Sequence, residues 1–212
     1  MNHLYEQLTA LKLTGFRDAL KKQLAQPGTY QELGFEERLS LLTAEELTCR
    51  ENRKAERLIK HARFRLNAEL SKLDYRNNRG LDRALIRSLS QGNWLTLKQN
   101  ILLTGATGSG KTFLACALGH NACRQGYKVY YYRLKALMEQ CYQGHADGRY
   151  SKLLTRLNNS DLLLLDDWGL EPLSSEQRSD LLEIVDLMYQ RGSIIVVSQL
   201  PVENWYKMIG DS

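Results

Sequence analysis

Asn100-Ile101-Leu102-Leu103-Thr104-Gly105-Ala106-Thr107-Gly108-Ser109-Gly110-Lys111-Thr112 is the stretch that decides the fold. Ile101–Leu103 is a short apolar run ending in a glycine loop, which reads as a buried parallel strand. Phe113–Arg124 follows as a helix. The loop between them satisfies G-x-x-x-x-G-K-[ST] from Gly105 to Thr112, in the strand-to-helix setting that gives this spacing its meaning. The residue types fit phosphate binding. Glycine at Gly108 and Gly110 lets the backbone adopt torsions that a Cβ forbids and approach an anion closely. The N–H groups of Ala106, Thr107, Ser109 and their neighbours form an anion nest, and the helix start adds its positive end. Lys111 places a point charge at the β- and γ-phosphates, and Thr112 offers a hydroxyl to Mg2+.

Downstream, the pattern alternates. Lys128–Tyr132 is strand-like, Leu134–Tyr142 and Tyr150–Leu157 are helical, and Asp161–Asp166 is a leucine-rich strand ending in carboxylates. Ser174–Gln190 is a helix capped by Ser174 or Ser175, and Ser193–Val197 is another buried strand. Strands alternating with helices imply an α/β fold, a parallel sheet covered on both faces. Such sheets bind ligands at the C-terminal ends of their strands. Asp166 is therefore the expected magnesium ligand, Asp167 the group that polarises an attacking water, and Gln199, ahead of Ser198, a sensor of the γ-phosphate. Lys111, Asp167 and Gln199 form the candidate catalytic set. Trp168 is expected to pack beneath the site, and alternation along a strand accounts for Tyr130, Tyr131 and Tyr132.

Upstream, residues 1–90 read as helices. Leu4, Leu8, Leu11, Phe16, Leu20 and Leu24 recur every three to five residues and predict one amphipathic helix, broken at Pro27-Gly28. Further helices are expected from Phe35 to Thr48, from Cys49 to Leu70, either separate from the one before it or continuous with it, and from Leu81 to Leu89. A turn is expected at Asn77, Asn78 and Gly80, and a joint at Gln91-Gly92-Asn93. Two domains follow from this division: a helical one over 1–92 and an α/β one over 93–212.

Charge separates the halves. Residues 1–98 carry 18 Lys+Arg against 12 Asp+Glu, whereas residues 99–212 carry 11 against 12, so the basic excess is N-terminal. Arg50, Arg53, Lys54, Arg57 and Lys60 follow three- and four-residue steps and share one helical face, and Arg63 extends it. That stripe fits the phosphates of a nucleic acid without base reading. Glu51 and Glu56 compete with it by local pairing. His61 lies in the stretch with no second ligand nearby and reads as a polar helix residue. Cys49, Cys116, Cys123 and Cys141 lack metal-ligand spacing and fit reduced thiols in the cytoplasm. Met1–Glu6 lacks the features of a signal peptide, and no apolar run is long enough to span a bilayer, so no membrane partner is expected.

These residues together resemble the IstB-like ATP-binding proteins, helper ATPases of insertion-sequence transposition. That family is related to the DnaC-type helicase loaders and belongs to the AAA+ class of P-loop NTPases. The resemblance rests on Gly105–Thr112, on Leu162–Gly169 with its Asp-Asp-Trp-Gly ending, on Ser198-Gln199-Leu200-Pro201, and on the basic run Arg50–Phe64. It implies ATP as ligand, homo-oligomeric assembly on duplex DNA when ATP is bound, and a transposase partner. Many related ATPases carry glutamate at the position of Asp167. They also place DNA-facing loops in the crossover that holds Arg133, Arg149 and Arg156. The family continues past the position of Ser212 with a fifth strand, a lid and a trans-acting arginine. The chain is therefore expected to have a four-stranded sheet and to bind nucleotide better than it hydrolyses it. Two alternatives use the same loop. A replicative helicase loader would prefer single-stranded DNA, and a small-molecule kinase would need an acceptor pocket and a closing lid.

Overall fold

The computed structural model describes residues 2–75 and 81–209; the turn expected at Asn77, Asn78 and Gly80 lies outside the described residues. In chain order the elements are α1 (Asn2–Ala10), α2 (Thr14–Ala25), α3 (Pro27–Tyr30), α4 (Phe35–Ala62), α5 (Arg83–Ser90), α6 (Asn93–Thr96) and β1 (Ile101–Thr104). Then follow α7 (Lys111–Arg124), β2 (Val129–Arg133), α8 (Leu134–Asp147), α9 (Tyr150–Asn158), β3 (Leu162–Trp168), α10 (Ser175–Met188), β4 (Ser193–Ser198) and α11 (Trp205–Ile209). Among the described residues the strands form one parallel sheet in the order β1-β4-β3-β2. No described helix is long and apolar enough to cross a membrane.

The described residues divide into two compact units between Glu56 and Arg57, not at the joint expected near residue 92. The reason is packing. Leu58, Ile59, Ala62, Phe64, Ala68, Ile86, Trp94 and Leu95 all join the apolar layer on one face of the sheet, so the segment after residue 56 belongs with the strands. In the first unit, the single helix expected through Leu24 is interrupted. Lys12 takes a left-handed φ of 59°, and Leu13 N–H reaches back to the Leu8 carbonyl at 2.8 Å, which closes α1. The five-residue step from Leu11 to Phe16 explains the break, because it carries the apolar stripe out of phase with a continuous helix. From Phe35 onward the two stretches are continuous and form one helix, α4. It stops at Ala62 rather than Leu70, because Arg63 adopts a left-handed φ of 56°.

Alternation along the central strands fills both faces of the sheet. Leu162, Leu164, Ile195 and Val197 meet α7 and the 57–95 segment, whereas Leu163, Leu165, Ile194 and Val196 meet α8, α9 and α10. Tyr131 goes to the first layer, and Tyr130 and Tyr132 go to the second. Trp168 lies in that second layer, 5.1 Å from Trp205 between ring centroids. Ser174 caps α10 in a reciprocal capping box with Gln177.

His120 on α7 adds a pH dependence to this core. It is buried against Phe64, 4.4 Å between ring centroids, and its Nε2 has no hydrogen-bond partner among the described residues. Burial, reinforced by Arg124, pushes its pKa below the ordinary histidine value, against weaker opposing pulls from Glu69 and the Leu66 backbone. The unfolded chain then binds a proton that the folded chain refuses, so stability falls as pH drops through about 6.5. Thermal melting followed from pH 8 to pH 5 is expected to show this loss, and His120→Leu is expected to reduce it. An unchanged pH profile in the variant would contradict the assignment.

Candidate functional site

β1 delivers the chain to Gly105, and the loop closes at Gly110, where φ is 91°; Gly108 sits at 78°. Both torsions belong to the left-handed region that suits glycine. α7 begins directly at Lys111 and has no side-chain cap, so its first N–H groups are left for an outside acceptor. Lys111 Nζ donates to the carbonyls of Gly105 and Ala106, each at 2.7 Å. The ammonium thus lies inside its own loop on acceptors that phosphate oxygens can replace.

Across the sheet, the end of β3 brings Asp166 beneath the helix start. Thr112 Oγ1 donates to this carboxylate, at 3.0 Å to Oδ2 and 3.2 Å to Oδ1. Tyr131 donates its hydroxyl to Oδ2 at 2.7 Å, and the backbone N–H of Asp167 donates to Oδ1 at 2.8 Å. Asp166 is only 1% exposed, and these three donors hold its carboxylate in place. Burial and the bond to Asp166 raise the Tyr131 pKa far above its ordinary value, which keeps the phenol a donor. The Thr112 hydroxyl and Asp166 carboxylate suit a hard cation that retains water and takes its other ligands from phosphate.

Asp167 occupies a left-handed φ of 58° at an irregularity in β3 pairing between Leu165 and Trp168. Its carboxylate is engaged. Arg133 Nε lies 2.5 Å from Oδ2, and Arg65 lies 3.7 Å away. The hydrogen bond and charge of Asp167 raise the Arg133 pKa. Gln199, just beyond β4, accepts a hydrogen bond from Thr107 Oγ1 at 2.7 Å, which ties it to the glycine loop. Ser198 instead turns inward: it is buried and bonds to the Trp168 carbonyl at 3.0 Å.

Two cavities meet at the loop. One, of about 340 Å³, lies over Thr107, Lys111, Thr112, Asp166, Asp167 and Gln199. The other, of about 550 Å³, lies on the far side of the loop, walled by Leu73, Asp74, Leu81, Leu102 and Phe113. They share Gly110, Lys111 and Phe113. A polyphosphate in the first and a nucleoside in the second would therefore be continuous.

The family model described as IstB-like ATP binding protein matches residues 6–212. The chain belongs to this family. A relative in Pseudomonas fluorescens, named for ATP binding and insertion sequence IS1162, is 46% identical over 94% of this chain and 86% of its own length. Another in Sinorhizobium fredii, also named for insertion-sequence ATP binding, is 42% identical over 97% of this chain and 84% of its own length. Among solved structures, the DnaC helicase loader aligns with a TM-score of 0.59 and 27% identity, over 68% of this chain and 88% of the loader. AMPPCP-bound DnaA from Aquifex aeolicus aligns with a TM-score of 0.60 over 68% of this chain and 45% of DnaA, but at 22% identity that likeness concerns the fold alone. The fold is that of a P-loop AAA+ ATPase, and ATP binding follows from the family.

In this IstB-like chain Thr107, Gly108, Gly110, Lys111, Thr112, Asp166, Asp167 and Gln199 line one cavity. Three features were not foreseen: the role of Tyr131, the engagement of Asp167 by Arg133, and the cavity walled by Leu73 and Leu81. Only the strand register, which sets Tyr131 opposite Leu164 and Arg133 opposite Asp166, reveals the first two. Arg50, Arg53, Lys54, Arg57 and Lys60 all lie on α4. Arg50, Arg53 and Lys54 fall in the first compact unit, and Arg57, Lys60 and Arg63 fall in the second. Arg50 is bound to the buried Glu46 at 2.7 Å, and Arg53 donates to Thr14. Lys54, Arg57 and Lys60 are exposed, and Arg63 leaves the helical face at the left-handed end of α4.

Proposed function

We propose that this chain is an ATP-hydrolysing, DNA-binding AAA+ protein that assembles into a homo-oligomer on duplex DNA and assists a transposase. The observation that carries the nucleotide part is the Thr112–Asp166 couple directly beneath an uncapped helix start. Residues Gly105–Thr112 bind the triphosphate. Thr112 and Asp166 would hold magnesium, which when bound neutralises charge on the β- and γ-phosphates. Lys111 exchanges its loop carbonyls for phosphate oxygens. Gln199 helps place the water that attacks the γ-phosphorus, and the bond to the β–γ bridging oxygen breaks as ADP leaves. Asp167 accepts the water's hydrogen bond once Arg133 has released it. The DNA and transposase parts rest on insertion-sequence relatives and on the exposed cations of α4.

Because Arg133 and Asp167 are ion-paired in this structure, Arg133 acts as a brake. Arg133 is more than half exposed, and a pair this accessible is worth at most about a factor of five in population. Arg133→Ala is therefore expected to raise DNA-free ATP turnover severalfold, up to that limit. Unchanged or lower turnover would show that the pair does not restrain Asp167.

Helicase loading is a second reading, favoured by the 27% identity with the DnaC loader. Affinity for duplex against single-stranded DNA of equal length, measured with and without ATP, separates the two. ATP-dependent growth of a duplex-bound complex supports transposition, and preference for single strands supports loading.

A further inference from the structure

A second cation stands in the cavity over the glycine loop, and it comes from the segment between α4 and α5. Arg65 lines that space of about 340 Å³ together with Lys111, Thr112, Asp166, Asp167 and Gln199. Arg65 and Lys111 are the cations among the described lining residues, against the carboxylates of Asp166 and Asp167. The chain is anchored on both sides of Arg65, because Ala62 and Ala68 are buried in the core. Phe64 lies over His120 on α7 and fills the space left by Gly119, where a Cβ would meet Phe64 Cε1 at 2.5 Å. The backbone of Arg65 and Leu66 runs beside the buried Cys116, one turn nearer the start of α7. Residues 62–68 thus form a strap along α7 that sets Arg65 at the phosphate end of the helix. The guanidinium itself is held loosely. Its Nη1 lies 3.7 Å from Asp167 Oδ2, beyond hydrogen-bond distance, and the side chain is half exposed. The short bond to that oxygen belongs to Arg133, at 2.5 Å. The fork of donors on Arg65 is therefore open to a ligand.

We propose that Arg65 binds the γ-phosphate of ATP within its own subunit and so sets ATP apart from ADP. The proposal rests on the nucleotide reading above. Asp167 marks the γ end of the cavity, because it is the group placed for the attacking water, and Arg65 is already beside it. A triphosphate entering here meets two carboxylates and one lysine, so a further cation is needed to offset the charge. The terminal phosphate carries more charge than Asp167 and offers three oxygens in a spacing that a guanidinium fork matches. Arg65, joined to Asp167 only by a long ion pair, turns to those oxygens when ATP arrives. ADP leaves that position empty, and Arg65 stays with Asp167.

The test measures the affinity of the full chain for AMPPCP and for ADP, each with magnesium, by calorimetry. Arg65→Gln is expected to weaken AMPPCP about tenfold and to leave ADP within about twofold of the parent, as befits the loss of a charged hydrogen bond to one phosphate. Arg65→Lys keeps the charge without the fork and is expected to fall between the two. ATP turnover is expected to drop in Arg65→Gln, the opposite sign to Arg133→Ala. Equal losses for AMPPCP and ADP would reduce Arg65 to a structural role and overturn the proposal. Unchanged AMPPCP affinity overturns it as well, and faster turnover alongside would make Arg65 a second restraint on Asp167. A parent chain that binds neither nucleotide instead defeats the nucleotide reading and takes this proposal with it. A parent that binds both without hydrolysing ATP defeats only the hydrolysis reading, since the comparison of affinities needs no turnover.

Discussion

Lys111→Ala is expected to lower ATP turnover by about two to three orders of magnitude, the usual effect of removing one preorganised donor from a developing phosphate charge. The structure explains why so little else should change. Among the described residues, Lys111 Nζ bonds only to groups of its own loop, the Gly105 and Ala106 carbonyls and, at 3.4 Å, the Ser109 hydroxyl. Its removal leaves partly exposed acceptors that water can satisfy. Melting temperature without nucleotide should therefore hold steady while ATP affinity and turnover collapse. Lys111→Arg is not a rescue, because a planar fork does not fit where a compact ammonium sits between carbonyls. Near-normal turnover in Lys111→Ala would place the triphosphate elsewhere.

Asp166→Asn is expected to separate stability from activity. The carboxylate is buried and held by three neutral donors: Thr112, Tyr131 and the Asp167 N–H. Burying a carboxylate costs desolvation free energy, and the near-isosteric amide removes that charge. The nucleotide-free variant is therefore expected to melt a few degrees higher, on the order of 2–4 °C. Magnesium-dependent hydrolysis is expected to fall at least about a hundredfold, since a neutral amide is a poor partner for a hard cation. A lower melting temperature with turnover intact would reverse the account of Asp166. Tyr131→Phe tests the same support less severely, because it removes one of the three donors and leaves the charge.

How much of this was legible in the sequence follows from the range of each interaction. The glycine loop and the carboxylates closing β3 announce themselves locally: one needs torsions that glycine supplies, and the other needs a strand end beside a phosphate. The alternating β and α segments and the cap of α10, expected at Ser174 or Ser175 and found at Ser174, are equally local. What the sequence left hidden depends on register and packing. Tyr131 looks like one of three tyrosines until its pairing with Leu164 sets it two residues short of Asp166. Arg133 looks like a surface cation until the left-handed turn at Asp167 brings the two together. Residues 57–92 carry the basic, helical composition of the N-terminal half, yet Leu58, Ala62 and Ile86 bury against the sheet, so composition misplaced the division between units. Likewise, α1 and α2 share an apolar rhythm but not a phase, a shift marked by the five-residue step from Leu11 to Phe16 and realised as the reversal at Lys12.

The central claim is that Gly105–Thr112 captures a triphosphate whose metal is shared by Thr112 and Asp166. A crystal structure of the chain with magnesium and a non-hydrolysable ATP analogue tests it most directly. The account predicts that Lys111 leaves the Gly105 and Ala106 carbonyls for the β- and γ-phosphates, with the ion between those phosphates and the Thr112 hydroxyl and the base in the cavity beside Leu73 and Leu81. A nucleotide bound elsewhere, or a loop still closed on Lys111 at saturating analogue, would contradict it.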